Sequence, residues 1–344
     1  MQTVLPRSTP LSQTCAISPT SPRHSSLSSF CSVMVLDWSN SGFSFKFKGT
    51  GFHIIFGEHK ADQPVYIRVD IDREKKLFGW SGETGRYCVS DGKEHVIVDD
   101  LKNEEHTVRV LRITEGEDKL YIKGLEVYGE ILPPPLESVR RIEVLGDSIT
   151  CGYGVRGDQD TTVFRTCDED STAAWAFLVA EELNADLHCQ CASGKGIVRN
   201  CEGALDLTFD QMFNMTSRNG EVWDHSKWTP QVVMINGGTN DGWGGVSAEE
   251  FERGATALIN DIRSKYTHAH IIWCYGLMGD PYSGLLKKLF KRMGETDDKL
   301  MFVPISVANP KKDYAAAGHP GMKINEKLAD TMVSKIKSLK IWEK

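Results

Sequence analysis

Residues 142–150 read Ile142-Glu143-Val144-Leu145-Gly146-Asp147-Ser148-Ile149-Thr150, an apolar, strand-like run that breaks abruptly into Gly-Asp-Ser. A serine on such a turn can stand at the carboxyl end of a strand, where open α/β sheets place their ligands. Outward from this stretch, strands and helical segments alternate. Strands are expected at 142–145, 186–191, 232–235, 270–274 and 301–304, and helices at 172–183, 248–266, 283–294 and 322–339. That rhythm predicts an α/β domain, a parallel sheet flanked by helices. Within 248–266, Phe251, Ala255, Leu258, Ile259 and Ile262 recur at helical spacing and give one buried face. Lys287, Lys288, Lys291 and Arg292 spread along their helix as a solvated face.

Upstream the period changes to two. Phe43, Phe45 and Phe47 alternate with Ser44, Lys46 and Lys48, as in a half-buried strand. Similar runs follow at 52–56, 65–71, 95–98, 107–113 and 120–127, separated by turn residues such as Gly49-Thr50-Gly51 and Asp91-Gly92. Several short strands at this spacing predict an all-β sandwich. Pro133-Pro134-Pro135 cannot continue a strand ladder and marks the boundary. The expected division is a segment 1–33, a β-sandwich 34–132 and the α/β domain 133–344. Residues 1–33 are rich in Ser, Thr and Pro, lack acidic residues and show no periodicity, so they are expected to be disordered. They share features with a transit segment, and a start at Met34 is the alternative.

The chain of 344 residues has room for two domains with separate cores. A net charge of -7 and the lack of a long basic cluster argue against a nucleic-acid partner. No apolar run approaches the roughly 18 residues of a membrane-spanning helix, so no membrane partner is expected. The N-terminus lacks the apolar core of a secretory signal, which favours a cytoplasmic location over secretion. Nine cysteines, an odd number without repeating spacing, do not describe a complete disulfide framework and are expected as thiols. His188, Cys189, Cys191 and Cys201 are zinc-ligand types, but an alternating strand sends successive side chains to opposite faces. No metal is expected there.

Ser148 is the candidate nucleophile. Serine is a weak nucleophile at its ordinary pKa and needs a base and an oxyanion site. Gly237-Gly238-Thr239-Asn240-Asp241 closes a second apolar run, and Gly318-His319-Pro320 holds a histidine in a turn ahead of the last amphipathic helix. His319 is the candidate base among ten histidines, because a strand-end loop could deliver it to Ser148. The plain alternative for Asn240-Asp241 is a turn that caps the following segment. Asp147 and Asp241 are expected to orient their loops.

These blocks, in this order, resemble the SGNH (GDSL-type) hydrolase superfamily: Gly146-Asp147-Ser148, then Gly194 within Ala192-Ser193-Gly194-Lys195-Gly196, then Gly238-Thr239-Asn240-Asp241, then His319-Pro320. Cys151-Gly152-Tyr153-Gly154, the long β-rich segment before the nucleophile and Trp223-Asp224-His225-Ser226-Lys227-Trp228-Thr229-Pro230 look most like carbohydrate esterase family 2. The resemblance covers roughly residues 36–340. It implies a jelly-roll domain followed by a flavodoxin-like hydrolase domain. It also implies Ser148 and His319 as catalytic groups, and an oxyanion hole made of the Ser148 and Gly194 N–H groups and the Asn240 amide. Gly196 is the alternative to Gly194.

The expected activity is removal of O-acetyl groups from acetylated carbohydrates such as xylan, glucomannan or their oligosaccharides, without metal or organic cofactor. The alternatives are a general short-chain acyl esterase and an inactive carbohydrate-binding protein. One departure stands out: the superfamily's aspartate three residues before the histidine is Ala316 here. Family 2 is known for dyads whose histidine is oriented by a backbone carbonyl; Asp313 is the other candidate orienter. Trp243, Tyr153 and Tyr282 follow strand ends and are expected to line a sugar cleft, where flat rings stack on sugar faces. Trp175 and Trp273, within predicted elements, are expected in the core.

Overall fold

A computed structural model of the chain describes residues 26–58, 63–76, 79–89, 95–116, 119–218 and 220–343. It divides into two compact units, residues 1–137 and 138–344.

The first unit is an antiparallel sheet of seven strands, β1 (Ser26–Leu36), β2 (Gly42–Phe56), β3 (Val65–Lys76), β4 (Gly79–Val89), β5 (His95–Val98), β6 (Glu104–Arg112) and β7 (Leu120–Leu132). The order is β1-β7-β2-β6-β3-β4, with β5 added to β2. The alternation of Phe43, Phe45 and Phe47 holds: all three are buried while Lys48 is exposed. The expected break at Gly49-Thr50-Gly51 is instead a bulge inside one long strand. There the chains run so close that a Cβ on Gly49 would lie 2.2 Å from the Tyr128 carbonyl oxygen. β2 pairs with β7 along one edge, and along the other with β6 before the bulge and with β5 after it. The enclosed core includes Phe45, Phe47, Phe52, Ile54, Ile67, Val108 and Val127.

Two strands were not anticipated. β4 contains Gly82 and Gly85 and lacks clean alternation, yet pairs along β3. β1 begins at Ser26, inside the segment expected to lack structure, and is carried by antiparallel pairing with β7. Residues 1–25 lie outside the described residues.

The second unit is a five-stranded parallel sheet, β8 (Arg141–Gly146), β9 (Asp186–Cys191), β10 (Val232–Asn236), β11 (His270–Tyr275) and β12 (Leu300–Pro304), in the order β12-β11-β10-β8-β9. Its helices are α1 (Ser148–Cys151), α2 (Trp175–Leu183), α3 (Phe209–Phe213), α4 (Thr239–Trp243), α5 (Ala248–Lys265), α6 (Ser283–Met293), α7 (Pro310–Asp313) and α8 (Met322–Ser338). Ile142 and Val144 on β8 share a buried cluster with Trp175 and Val179 of α2 and Leu328, Met332 and Ile336 of α8. α5 starts at a capping box in which Ser247 and Glu250 satisfy each other's backbone N–H groups. It buries the five apolar residues read from its period.

From β8 the chain moves one way to β9 and later crosses back to β10 on the other side. The carboxyl ends of β8 and β10 therefore flank the point where strand order reverses, the natural crevice of an open parallel sheet. Asp147-Ser148 and Gly237–Asn240 leave the sheet there.

Candidate active site

Ser148 opens α1 directly after β8, held by Asp147, whose side chain accepts the Ile149 N–H at 3.0 Å. The histidine arrives from the opposite end of the sequence. Tyr314 and Pro320 form an antiparallel bridge, and the Ala315 N–H donates to the His319 carbonyl at 2.7 Å, closing a tight loop before α8. The loop places His319 Nε2 2.9 Å from Ser148 Oγ. On the other side of the ring, Nδ1 lies 2.8 Å from the Ala317 carbonyl oxygen. A carbonyl can only accept, so Nδ1 carries the hydrogen, and the Nε2 lone pair faces the serine hydroxyl.

Asp313 plays no part in this contact. Its carboxylate accepts the Asn309 N–H at 2.8 Å and closes the α7 turn. Ala316 is buried against Gly157, where a glycine Cβ would come within 2.5 Å of the Ala316 methyl and 2.8 Å of Asp168.

Asn240 lies in the first turn of α4, just beyond β10, buried, with its Nδ2 2.8 Å from the Lys195 carbonyl oxygen and 3.3 Å from Asp147 Oδ2. Gly194 has φ +78°, a left-handed conformation that a side chain would strain. Among the described residues, neither the Gly194 N–H nor the Ser148 N–H meets an acceptor. Gly196 differs: its N–H donates to Asn200 Oδ1 at 3.2 Å. Of the two glycines, Gly194 is the one with a donor to spare.

Asp241 fixes the loop that follows them. Its carboxylate accepts the N–H groups of Ile197, Val198 and Arg199 at 2.8, 2.7 and 3.2 Å. Burial raises its pKa, against those three hydrogen bonds. Burial likewise pushes Asp147 up to about 7, with the Ile149 N–H opposing and Cys191 and Asp241 adding to the rise. Both aspartates hold loops, and Asp147 reaches further, to Asn240.

The aromatic residues separate. Trp243 closes α4 and is 75% exposed. Tyr153 is half-buried, stacked 4.0 Å from Phe164, and packs 4.4 Å from the His319 ring. Phe164 carries no signal in the sequence, because Val163-Phe164 is a short apolar pair in a polar stretch without periodicity. Tyr282 does not line the site: it is buried, stacked 3.9 Å from Phe251, with its hydroxyl donating to the Val246 carbonyl at 2.7 Å. A backbone carbonyl satisfies its polar tip, so a tyrosine near a strand end packs as core. Trp175 and Trp273 are buried and donate to Thr150 Oγ1 and the Gly237 carbonyl. His188 stacks 3.4 Å from Trp228, the Cys189 and Cys191 sulfurs lie 3.7 Å apart, and Cys201 is exposed beside Glu202.

Residues 144–314 match the GDSL-like lipase/acylhydrolase family, and residues 32–135 match the carbohydrate esterase 2 N-terminal domain. The chain is 32% identical over 222 residues to the cellulase/esterase CelE of Acetivibrio thermocellus; the match covers 62% of this chain and 27% of that protein. It is 24% identical over 254 residues to an acetylxylan esterase/glucomannan deacetylase of Cellvibrio japonicus, covering 69% of this chain and 68% of that one. A family two carbohydrate esterase from Clostridium thermocellum, solved in complex with cellohexaose, superposes with a TM-score of 0.78 at 26% identity, covering 88% of this chain and 94% of that one.

Proposed function

This chain belongs to the family 2 carbohydrate esterases among the GDSL-type hydrolases, and we propose that it removes O-acetyl groups from acetylated xylan, glucomannan or their oligosaccharides. The observation that carries the reading is the Ser148–His319 contact at 2.9 Å, backed by the Ala317 carbonyl. His319 Nε2 takes the Ser148 proton as Oγ attacks the acetyl carbonyl. The resulting oxyanion is met by the Ser148 and Gly194 N–H groups and the Asn240 amide, donors fixed before the charge develops. Collapse breaks the bond to the sugar oxygen, which leaves with the proton from His319, and an acetyl group remains on Ser148. Water then attacks that ester, giving its proton to His319, and acetate departs as Oγ recovers a proton.

Exposed Trp243 beside Asn240 supports a carbohydrate as leaving alcohol, because an indole face can stack on a pyranose. Tyr153, stacked on Phe164, packs against the His319 ring and adds an aromatic surface next to the base.

The test is acetate release from acetylated xylo- and glucomanno-oligosaccharides, beside aryl esters of increasing acyl length. Wild type is expected to favour acetyl, Ser148→Ala to release no acetate with an unchanged circular dichroism spectrum, and Trp243→Ala to lose more on oligosaccharides than on aryl acetate. Turnover by Ser148→Ala near the wild-type rate would remove the assignment. Preference for long acyl chains would make this a lipase-like esterase.

A further inference from the structure

The Asn240 amide nitrogen has two hydrogens. One is taken by the Lys195 carbonyl at 2.8 Å, and Asp147 Oδ2 stands 3.3 Å away on the side of the nucleophile. Asp147 is fully enclosed, and its other oxygen is committed to the Ile149 N–H at 3.0 Å. It is a fixed acceptor, anchored in the turn that carries Ser148 and aimed at the third candidate oxyanion donor. Without it, Asn240 would be held through Nδ2 by a single carbonyl and could turn about that bond.

Resting on the serine-esterase reading above, we propose that Asp147 is a positioning residue for the oxyanion hole: it holds the Asn240 amide so that its second N–H is directed toward the oxygen that becomes negative at Ser148. The geometry explains a long contact where a tighter one would be counterproductive. At 3.3 Å the Asp147 contact is long enough for that N–H to be shared with the oxyanion, so the amide stays held between Asp147 and the Lys195 carbonyl as the charge develops. Asp241, the next residue, fixes the Ile197–Arg199 loop and so keeps the Lys195 carbonyl in register with Asn240. The two acidic residues on either side of the hole thus have different tasks, one setting the loop and the other the amide.

The test is a double-mutant cycle on kcat for acetate release at pH 8, above the value of about 7 to which burial raises Asp147. Asp147→Asn keeps an oxygen for the Ile149 N–H but presents an amide to Asn240. It is expected to lower kcat about ten- to a hundredfold with KM unchanged, as when a hydrogen bond to a charged group is removed. Asp147→Ser, which retains an N-cap for α1 but is too short to reach Asn240, is expected to lose as much, so a folding defect in one variant leaves the other to decide. Asn240→Ala should lose about 10² to 10³-fold in kcat. In the Asn240→Ala background either Asp147 substitution should cost less than about twofold, because its target is gone. Losses that multiply, or that appear only in KM, would overturn the positioning role. An Asn240→Ala enzyme with full activity would instead overturn the oxyanion assignment on which the proposal rests.

Discussion

At the scale of single residues, the histidine takes its orientation from a carbonyl two positions back. To aim that carbonyl, Ala317 adopts φ +52°, a conformation that costs a non-glycine residue roughly 1–2 kcal/mol. The loop stores that strain through the Ala315–His319 and Ala317–Thr161 backbone bonds. A neutral carbonyl fixes the tautomer but adds no charge to the imidazolium that forms. Asp313→Asn is therefore predicted to cost less than about tenfold in kcat, against the roughly 10⁴-fold lost when the aspartate of a serine-protease triad is replaced. Ala316→Asp is predicted to lower the melting temperature without raising activity, because the new carboxylate would enter a packed site beside Asp168. If Asp313→Asn fell as far as His319→Ala, with folding verified by circular dichroism, the dyad description would be wrong.

At the scale of elements, one loop of the first unit depends on proton binding. His106, on β6, is buried with Nδ1 2.6 Å from Asp72 Oδ2 and Nε2 2.8 Å from the Lys102 carbonyl oxygen. Two acceptors require both nitrogens to donate, which only the imidazolium can do. Burial beside Phe47 alone would lower its pKa; the Lys102 carbonyl and Asp72, with Glu104 nearby, outweigh it, and the net shift is upward. A raised histidine pKa contributes stability that is complete below the unfolded value of about 6.5 and is lost as pH rises through the folded value. The melting-temperature advantage of wild type over His106→Gln should thus be largest near pH 5.5 and shrink toward pH 9. An advantage independent of pH would contradict the charged state.

The elements also mark how far the sequence could be read. Every parallel strand and long helix of the second unit announces itself: β10 and β11 are near-continuous apolar runs, β9 alternates, and α5 and α8 keep one apolar stripe. Ser148, Asn240 and His319 were legible for a related reason: each sits where an apolar run or helix meets a glycine-bearing turn. What stayed hidden depends on partners distant in sequence. β4 and the first part of β1 exist through pairing with β3 and β7, and the bulge in β2 through a close approach to β7. The position of Tyr282 after a strand end does not reveal its stack on Phe251, and only geometry distinguishes the committed N–H of Gly196 from that of Gly194.

At the scale of the molecule, the parallel sheet gathers three distant stretches of chain at the reversal between β8 and β10. The Ser148 turn follows β8, the Asn240 turn follows β10, and the His319 loop comes in ahead of α8. On the proposed reading, this meeting point passes an acetyl group through Ser148. The most direct measurement is mass spectrometry of peptides from enzyme acid-quenched during turnover of excess aryl acetate, where rapid acylation lets an acyl-enzyme accumulate. One acetyl group is expected on the peptide containing Ser148 in wild type and none in His319→Ala. Acetate release with no acetyl on that peptide, or with the acetyl on another residue, would contradict it.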